Sequence, residues 1–190
     1  MYPLSAILCG VLATVVAWNP GLLRGIPVVR RIMPDVPSEP IPLLPLEASS
    51  SGNNIHLIVL VHGIFGSPLE MGNLQEFLVE QGAKRTIDDP AANDHQFVVH
   101  STGCNEGRTH DGLAAGGTRI ADEINEWLAA TRRTHGKSRI SLSMVGNSLG
   151  GLYARYALSK IHWKDADTNE TILHPEIFCT TVTPHVRLIG

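Results

Sequence analysis

Gly146-Asn147-Ser148-Leu149-Gly150 sets a serine between two glycines in the pattern G-x-S-x-G. Arg139 to Val145, just upstream, is rich in apolar and β-branched residues, and Leu149 to about Ile161 reads as a helix. Between a strand and a helix this pattern is a nucleophile elbow: a sharp turn with strained backbone angles thrusts the hydroxyl above the sheet edge. The flanking glycines let strand and helix approach closely enough to make that turn. The chemistry it suits is attack by the Ser148 oxygen on an electrophilic carbon. The developing oxyanion would be held by the backbone N–H of Leu149, at the positive end of the helix. The competing assignment is an ordinary serine N-cap with no reactive role.

A second glycine-containing loop, Val61-His62-Gly63-Ile64-Phe65-Gly66, follows an earlier apolar strand. In proteins built around such an elbow, the other oxyanion donor comes from a loop in this position. Gly63 and Gly66 allow the backbone to turn an N–H toward the substrate oxygen, and the residue after His62-Gly63 is the expected donor, so the main chain of Ile64 is assigned that part. His62 and Gly63 support the loop. His62 is read as structural and not as the catalytic base, because the base normally comes last in the chain. The same stretch can also be a turn leading into a helix capped at Ser67, since Ser67-Pro68-Leu69-Glu70 places a cap serine, a proline at the first helical position and a glutamate three residues after the cap.

These two loops need a framework. Ile55 to Val61 reads as a strand buried on both faces. Met71, Leu74 and Leu78 follow at helical spacing, with Gly82 as the stop. Gln96 to His100 is a second strand, and a polar, glycine-rich loop runs from Ser101 to Gly117. Ile120, Ile124, Trp127 and Leu128 make one apolar stripe on a helix that ends with Arg132, Arg133, His135 and Gly136. The Arg139 to Val145 strand and the helix after Ser148 come next, and Glu176 to Val182 is a fourth strand. Alternating strands and helices predict an α/β fold, a mostly parallel sheet with flanking helices and right-handed crossovers.

With these residues in place the chain resembles the eukaryotic lipase-like serine esterases of the α/β-hydrolase superfamily. The resemblance is carried by His56 to Gly63, by Arg108-Thr109-His110-Asp111-Gly112 with Gly116-Gly117 and Arg119-Ile120-Ala121, by Val145 to Ala157, and by Val182-Thr183-Pro184-His185. It implies hydrolysis of carboxylic esters, with glycerolipid or phospholipid acyl chains as substrates and Ser148 as nucleophile. Asp111 carries over as a motif residue, a loop or helix-cap acid that precedes Ser148 in the chain, and not as the triad acid.

In this superfamily the acid and the base follow the nucleophile, in the order Ser, Asp or Glu, His. After Ser148 stand His162, His174 and His185, with Asp165, Asp167, Glu170 and Glu176. His162 is expected near the far end of the helix after the elbow, and His185 sits where the family carries a structural histidine. The expectation is therefore that the triad acid and base are missing, and that the chain is a fragment or shortened form. Two alternatives stay open: a catalytically silent hydrolase-like binder, and an enzyme with a relocated base such as His185.

The organisation around this region is also legible. Residues 1–32 form a hydrophobic N-terminal anchor or signal region, 33–53 a Pro/Ser-rich linker, and 54–190 the nucleophile-bearing part of an α/β-hydrolase domain. Leu4 to Trp18 carry no charge, but a spanning helix needs about 20 apolar residues, so membrane anchor, cleaved signal, and buried helix or re-entrant hairpin all remain. Basic residues after the run favour membrane association with the main domain cytosolic, the alternative being the secretory pathway. Charged residues make up 17% of the chain and net charge is -3, a balance with no basic excess for nucleic acid. Cys9, Cys104 and Cys179 are read as three unpaired thiols of no catalytic consequence. No metal and no organic cofactor is implied, because neither ligand-cluster spacing nor a phosphate-binding loop is present.

Overall fold

A computed structural model of the chain describes Leu43 and residues 54–88, 95–136 and 138–184. These lie in one unit, residues 40–190. The apolar run at 4–18, the linker apart from Leu43, and His185 fall outside the described residues. Among the described residues, no helix is long and apolar enough to cross a membrane.

The elements are β1 (Asn54–Val61), a short 3-10 helix (Pro68–Met71), α1 (Gly72–Asp88), β2 (His95–Ser101), α2 (Leu113–His135), β3 (Arg139–Asn147), α3 (Leu149–Ala157) and β4 (His174–Thr181). The strands form one sheet in the order β2-β1-β3-β4, and every pairing is parallel. This is the predicted α/β architecture. The chain leaves β1 toward β2, then crosses back to β3 on the other side of β1. With right-handed crossovers, α1 lies on one face and α2 and α3 on the other. The reversal opens a crevice between the carboxyl ends of β1 and β3, the place where open α/β sheets bind ligands.

One face of the sheet carries the main core. Ile55, Leu57, Val59 and Val61 of β1 stand in register with Ile140, Leu142, Met144 and Gly146 of β3, and this face packs against Ile120, Ile124, Trp127 and Leu128 of α2 and Tyr153, Ala154 and Ala157 of α3. The predicted stripe on α2 is the buried one. The opposite face is wetter than expected. His56 and Ile58 are only half-buried, and polar Ser141 and Ser143 are buried in β3, with His56 Nε2 2.8 Å from Ser143 Oγ. The cause is partial cover, since Phe77 and Val79 of α1 remain exposed.

Two glycine assignments change. Gly82 does not stop α1, which continues to Asp88; a Cβ there would touch the Phe97 side chain at 3.4 Å. Gly116 and Gly117 are not loop residues but sit early in α2. Side chains at these positions would strike the rings of Tyr153, at 2.5 Å, and Tyr156, at 2.6 Å. The predicted helix stop at Gly136 holds, with φ 58 and its N–H bonded to the Arg132 carbonyl.

The thiols separate cleanly. Cys104 is partly buried against the core, and burial, reinforced by Glu123, pushes its thiol up to about 12. Cys179 lies exposed on β4. Because the thiolate is the reactive species, a maleimide at neutral pH is expected to modify Cys179 at least about tenfold faster than Cys104, as read by peptide mapping. Equal rates would contradict the burial of Cys104.

Candidate active site

The elbow is built by close approach. Ser148 has φ 51 and ψ -123, occupies the N-cap position of α3, and makes no side-chain cap hydrogen bond. An ordinary N-cap serine has extended angles and caps with its hydroxyl, so the cap assignment fails. A non-glycine residue held at positive φ costs about 1–3 kcal/mol and persists only where its surroundings over-determine it. Here the surroundings do so from several sides. The Ser148 N–H donates to the Thr181 carbonyl at 2.8 Å. The Ser148 carbonyl accepts from the Thr183 hydroxyl at 2.8 Å and from the Gly151 N–H at 3.2 Å. A Cβ on Gly146 would lie 2.5 Å from the Gly151 nitrogen, and one on Gly150 would lie 2.5 Å from the His62 carbonyl oxygen.

The loop after β1 lies directly against this turn. A Cβ on Gly63 would sit 3.1 Å from Ser148 Cβ and 3.4 Å from the Asn147 carbonyl oxygen. Ser148, Leu149, Ile64, Gly63 and His62 are thus gathered at the crevice between the carboxyl ends of β1 and β3. Leu149 opens α3, and a first-turn amide has no intrahelical acceptor. In the other loop the Gly63 N–H donates to Glu70 Oε2 at 3.3 Å, the Phe65 N–H to Thr109 Oγ1 at 3.1 Å, and the Gly66 N–H to the Gly63 carbonyl at 3.2 Å. No hydrogen bond to the Ile64 amide is found among the described residues.

His62 is buried, with 1% exposure. Its Nδ1–H donates to the Gly63 carbonyl at 3.0 Å, which leaves Nε2 as a buried acceptor without a partner. Burial holds its pKa below the ordinary value, against the opposing pull of the Gly63 carbonyl, Glu70 and Glu106. His56 is lowered as well, by burial first, then His95, with Glu176 opposing. Both therefore bind a proton more readily unfolded than folded. Stability is full above the unfolded value of about 6.5 and falls as pH drops below it. Urea midpoints measured from pH 7.5 down to 5 are expected to decline below that point, and His62→Asn is expected to make the decline shallower; an unchanged slope would contradict a neutral His62.

The acid–base candidates after Ser148 stand elsewhere. His174 begins β4 and pairs with Ser141 at the start of β3, at the opposite end of the strand from Ser148. His162 follows α3, and its N–H bonds Asn125 Oδ1 of α2 at 2.8 Å. Asp165, Asp167 and Glu170 belong to the connection before β4, where Lys164 bridges Thr171, and Glu176 reaches Arg139 at the start of β3, at 3.4 Å. Among the described residues after Ser148, no histidine shares its edge. Asp111 is a loop acid, as one of the two readings had it, standing just before the Gly112 cap of α2: it pairs with Arg119 at 2.8 Å, and Arg119 also donates to Asn105 Oδ1 and the Arg108 carbonyl. That network, with the Tyr153 hydroxyl donating to the Thr109 carbonyl at 2.8 Å, fixes the loop that presents Thr109 to Phe65.

The family model "Putative serine esterase (DUF676)" matches residues 51–190. The chain belongs to this family of serine esterases. Two curated relatives bear on it. "Putative lipase C4A8.10" of Schizosaccharomyces pombe is 29% identical over 148 residues, which is 75% of this chain and 17% of that protein. "Putative lipase YDR444W" of Saccharomyces cerevisiae is 24% identical over 138 residues, 72% of this chain and 19% of the relative. The chain thus spans less than a fifth of the length of these relatives. No solved structure was found to match it.

Sequence reasoning missed Glu70. Its spacing from Ser67 suggested a capping box, but Ser67 makes no side-chain cap bond. The Glu70 carboxyl group instead accepts from the Gly63 N–H and from the Asn147 side-chain amide. Thr181, which holds Ser148 from β4, carried no motif that would mark it, and Thr183 lay in the Val182-to-His185 segment of the resemblance without any part at Ser148 being read from it.

Proposed function

We propose that the chain is a serine carboxylic-ester hydrolase, directed at lipid acyl esters and working through an acyl-Ser148 intermediate. The observation that carries this is the positive-φ turn at Ser148, whose side chain makes no cap bond and which the loop after β1 approaches closely at Gly63. Ser148 Oγ attacks the ester carbonyl, the Ile64 and Leu149 amides hold the oxyanion, the alcohol leaves, and water releases the acid. The proton of Ser148 Oγ passes to a base that, on this reading, lies outside the described residues, as does the acid that orients it. Lipid acyl chains suit the exposed Phe65, in the oxyanion loop, and Leu69, just beyond it, at 62% and 47% exposure, and the names of the yeast relatives point the same way.

The test is a fluorophosphonate probe on the full chain, with Ser148→Ala as control. Labelling that the substitution removes supports the proposal. Labelling that survives it, or no labelling of the wild-type chain, overturns it, and the second result favours a catalytically silent binder.

A further inference from the structure

We infer that Glu70 is a positioning residue of the Ser148 site: it locks the loop after β1 onto the elbow and so aims the Ile64 amide. This rests on the reading of Ser148 as nucleophile and goes beyond it. Glu70 lies in the 3-10 helix after the loop, yet its two oxygens reach back across the crevice. Oε2 accepts the Gly63 N–H at 3.3 Å, and Oε1 accepts the side-chain amide of Asn147, the residue immediately before Ser148. Asn147 passes the link onward, its Oδ1 accepting from the Thr181 hydroxyl at 2.9 Å, while the Thr181 carbonyl accepts the Ser148 N–H. Glu70 and Asn147 together therefore tie the loop after β1 to the ends of β3 and β4, at the place where a carbonyl oxygen would have to be held.

The effect on Ile64 follows from its neighbours. The amide before it is held by Glu70 and the amide after it by Thr109 Oγ1, from the loop before α2. With both flanking amides fixed to side chains of other segments, the orientation of the Ile64 N–H between them is set as well. Gly66 makes room for this, since a Cβ there would collide with Glu70 Oε2 and lie 3.1 Å from His62 Nδ1. A preorganised donor contributes to rate only if it is already aimed at the oxyanion, and misplacement by about 1 Å can cost on the order of 10²-fold.

Glu70→Gln tests this. A glutamine offers one acceptor and one donor, so it can satisfy Gly63 or Asn147 but not both, and its NH2 faces another donor. Its fluorophosphonate labelling rate is expected to fall by about 10- to 100-fold with the thermal midpoint little changed. Asn147→Asp should behave similarly, by placing two carboxyl groups together. The double variant Glu70→Gln with Asn147→Asp restores a donor–acceptor pair, since the introduced side-chain amide can donate to the introduced carboxylate, and is expected to recover most of the rate. Hydrogen exchange supplies a readout independent of labelling: the Gly63 amide should exchange faster in Glu70→Gln and return to the wild-type rate in the double variant. Wild-type labelling with an unaltered rate in Glu70→Gln overturns this inference and leaves Ser148 standing. A slowed single variant without recovery in the pair also overturns it. If the wild-type chain does not label, the reading of Ser148 falls, and unchanged Gly63 exchange in Glu70→Gln would remove the clamp too.

Discussion

Gly150→Ala is expected to destabilise the fold severely. A Cβ at this position would lie 2.5 Å from the His62 carbonyl oxygen and closer still to that of Val61. Both are main-chain atoms at the end of β1, the central strand that pairs with both β2 and β3. No rotamer change can relieve the clash; α3 would have to withdraw from the sheet and take the buried side chains of Tyr153, Ala154 and Ala157 with it. Overpacking that moves backbone costs about 1–3 kcal/mol and occasionally more, and here a buried helix moves, so a loss of at least about 3 kcal/mol is expected. That is a large part of the roughly 5–15 kcal/mol that holds a typical domain. Gly72→Ala is the matched control. It stands at φ -56 with nothing within 4 Å of a built Cβ, and is expected to raise stability by about 0.5–1 kcal/mol. Urea denaturation of the two variants checks the contrast. A Gly150→Ala protein as stable as wild type would mean that the elbow and the loop after β1 are not in contact.

The same glycines explain what could and could not be read ahead of the structure. The strand and helix order was legible because apolar periodicity is local: Ile120, Ile124, Trp127 and Leu128 had to share a face, and they are the buried face of α2. The elbow was legible because its pattern joins a residue type to a known turn. Gly116 and Gly117 misled because glycine has two uses that look alike in a sequence. It frees the backbone in turns, and it admits a neighbour where any Cβ would intrude. At Gly116 and Gly117 the second use applies, with Tyr153 and Tyr156 as neighbours well beyond the reach of a local pattern, whereas at Gly82 a Cβ would meet Phe97 in ordinary contact and neither use applies. Glu70 misled for the same reason. Its spacing from Ser67 fits a local cap, while its partner Asn147 is 77 residues away. Long-range partners leave no periodic trace, so the parts of the site that hold the nucleophile in place were hidden although the nucleophile was not.

The strain at Ser148 separates its two contributions, to reactivity and to stability, and Ser148→Gly and Ser148→Ala read them apart. Both remove the hydroxyl, so both are expected to abolish probe labelling and to lower any ester turnover by on the order of 10⁶-fold, the usual loss when a serine nucleophile is deleted. Their stabilities should differ. Alanine still carries a Cβ at φ 51 and keeps the strain, so its melting point should stay near wild type. Glycine occupies that region freely. Relief of about 1–3 kcal/mol is offset by about 0.4–1 kcal/mol for the greater freedom of glycine in the unfolded chain. The net gain is about 1 kcal/mol, or roughly 2–4 °C in melting temperature for a chain of this size. The hydroxyl makes no cap bond whose loss would cancel this. A glycine variant no more stable than the alanine variant would show that the turn is not strained, and the physical reason for singling out Ser148 would go with it. A glycine variant that is both more stable and unreactive would mean that this backbone is held in an unfavourable shape to present an oxygen, since the fold is better off without the side chain that requires it.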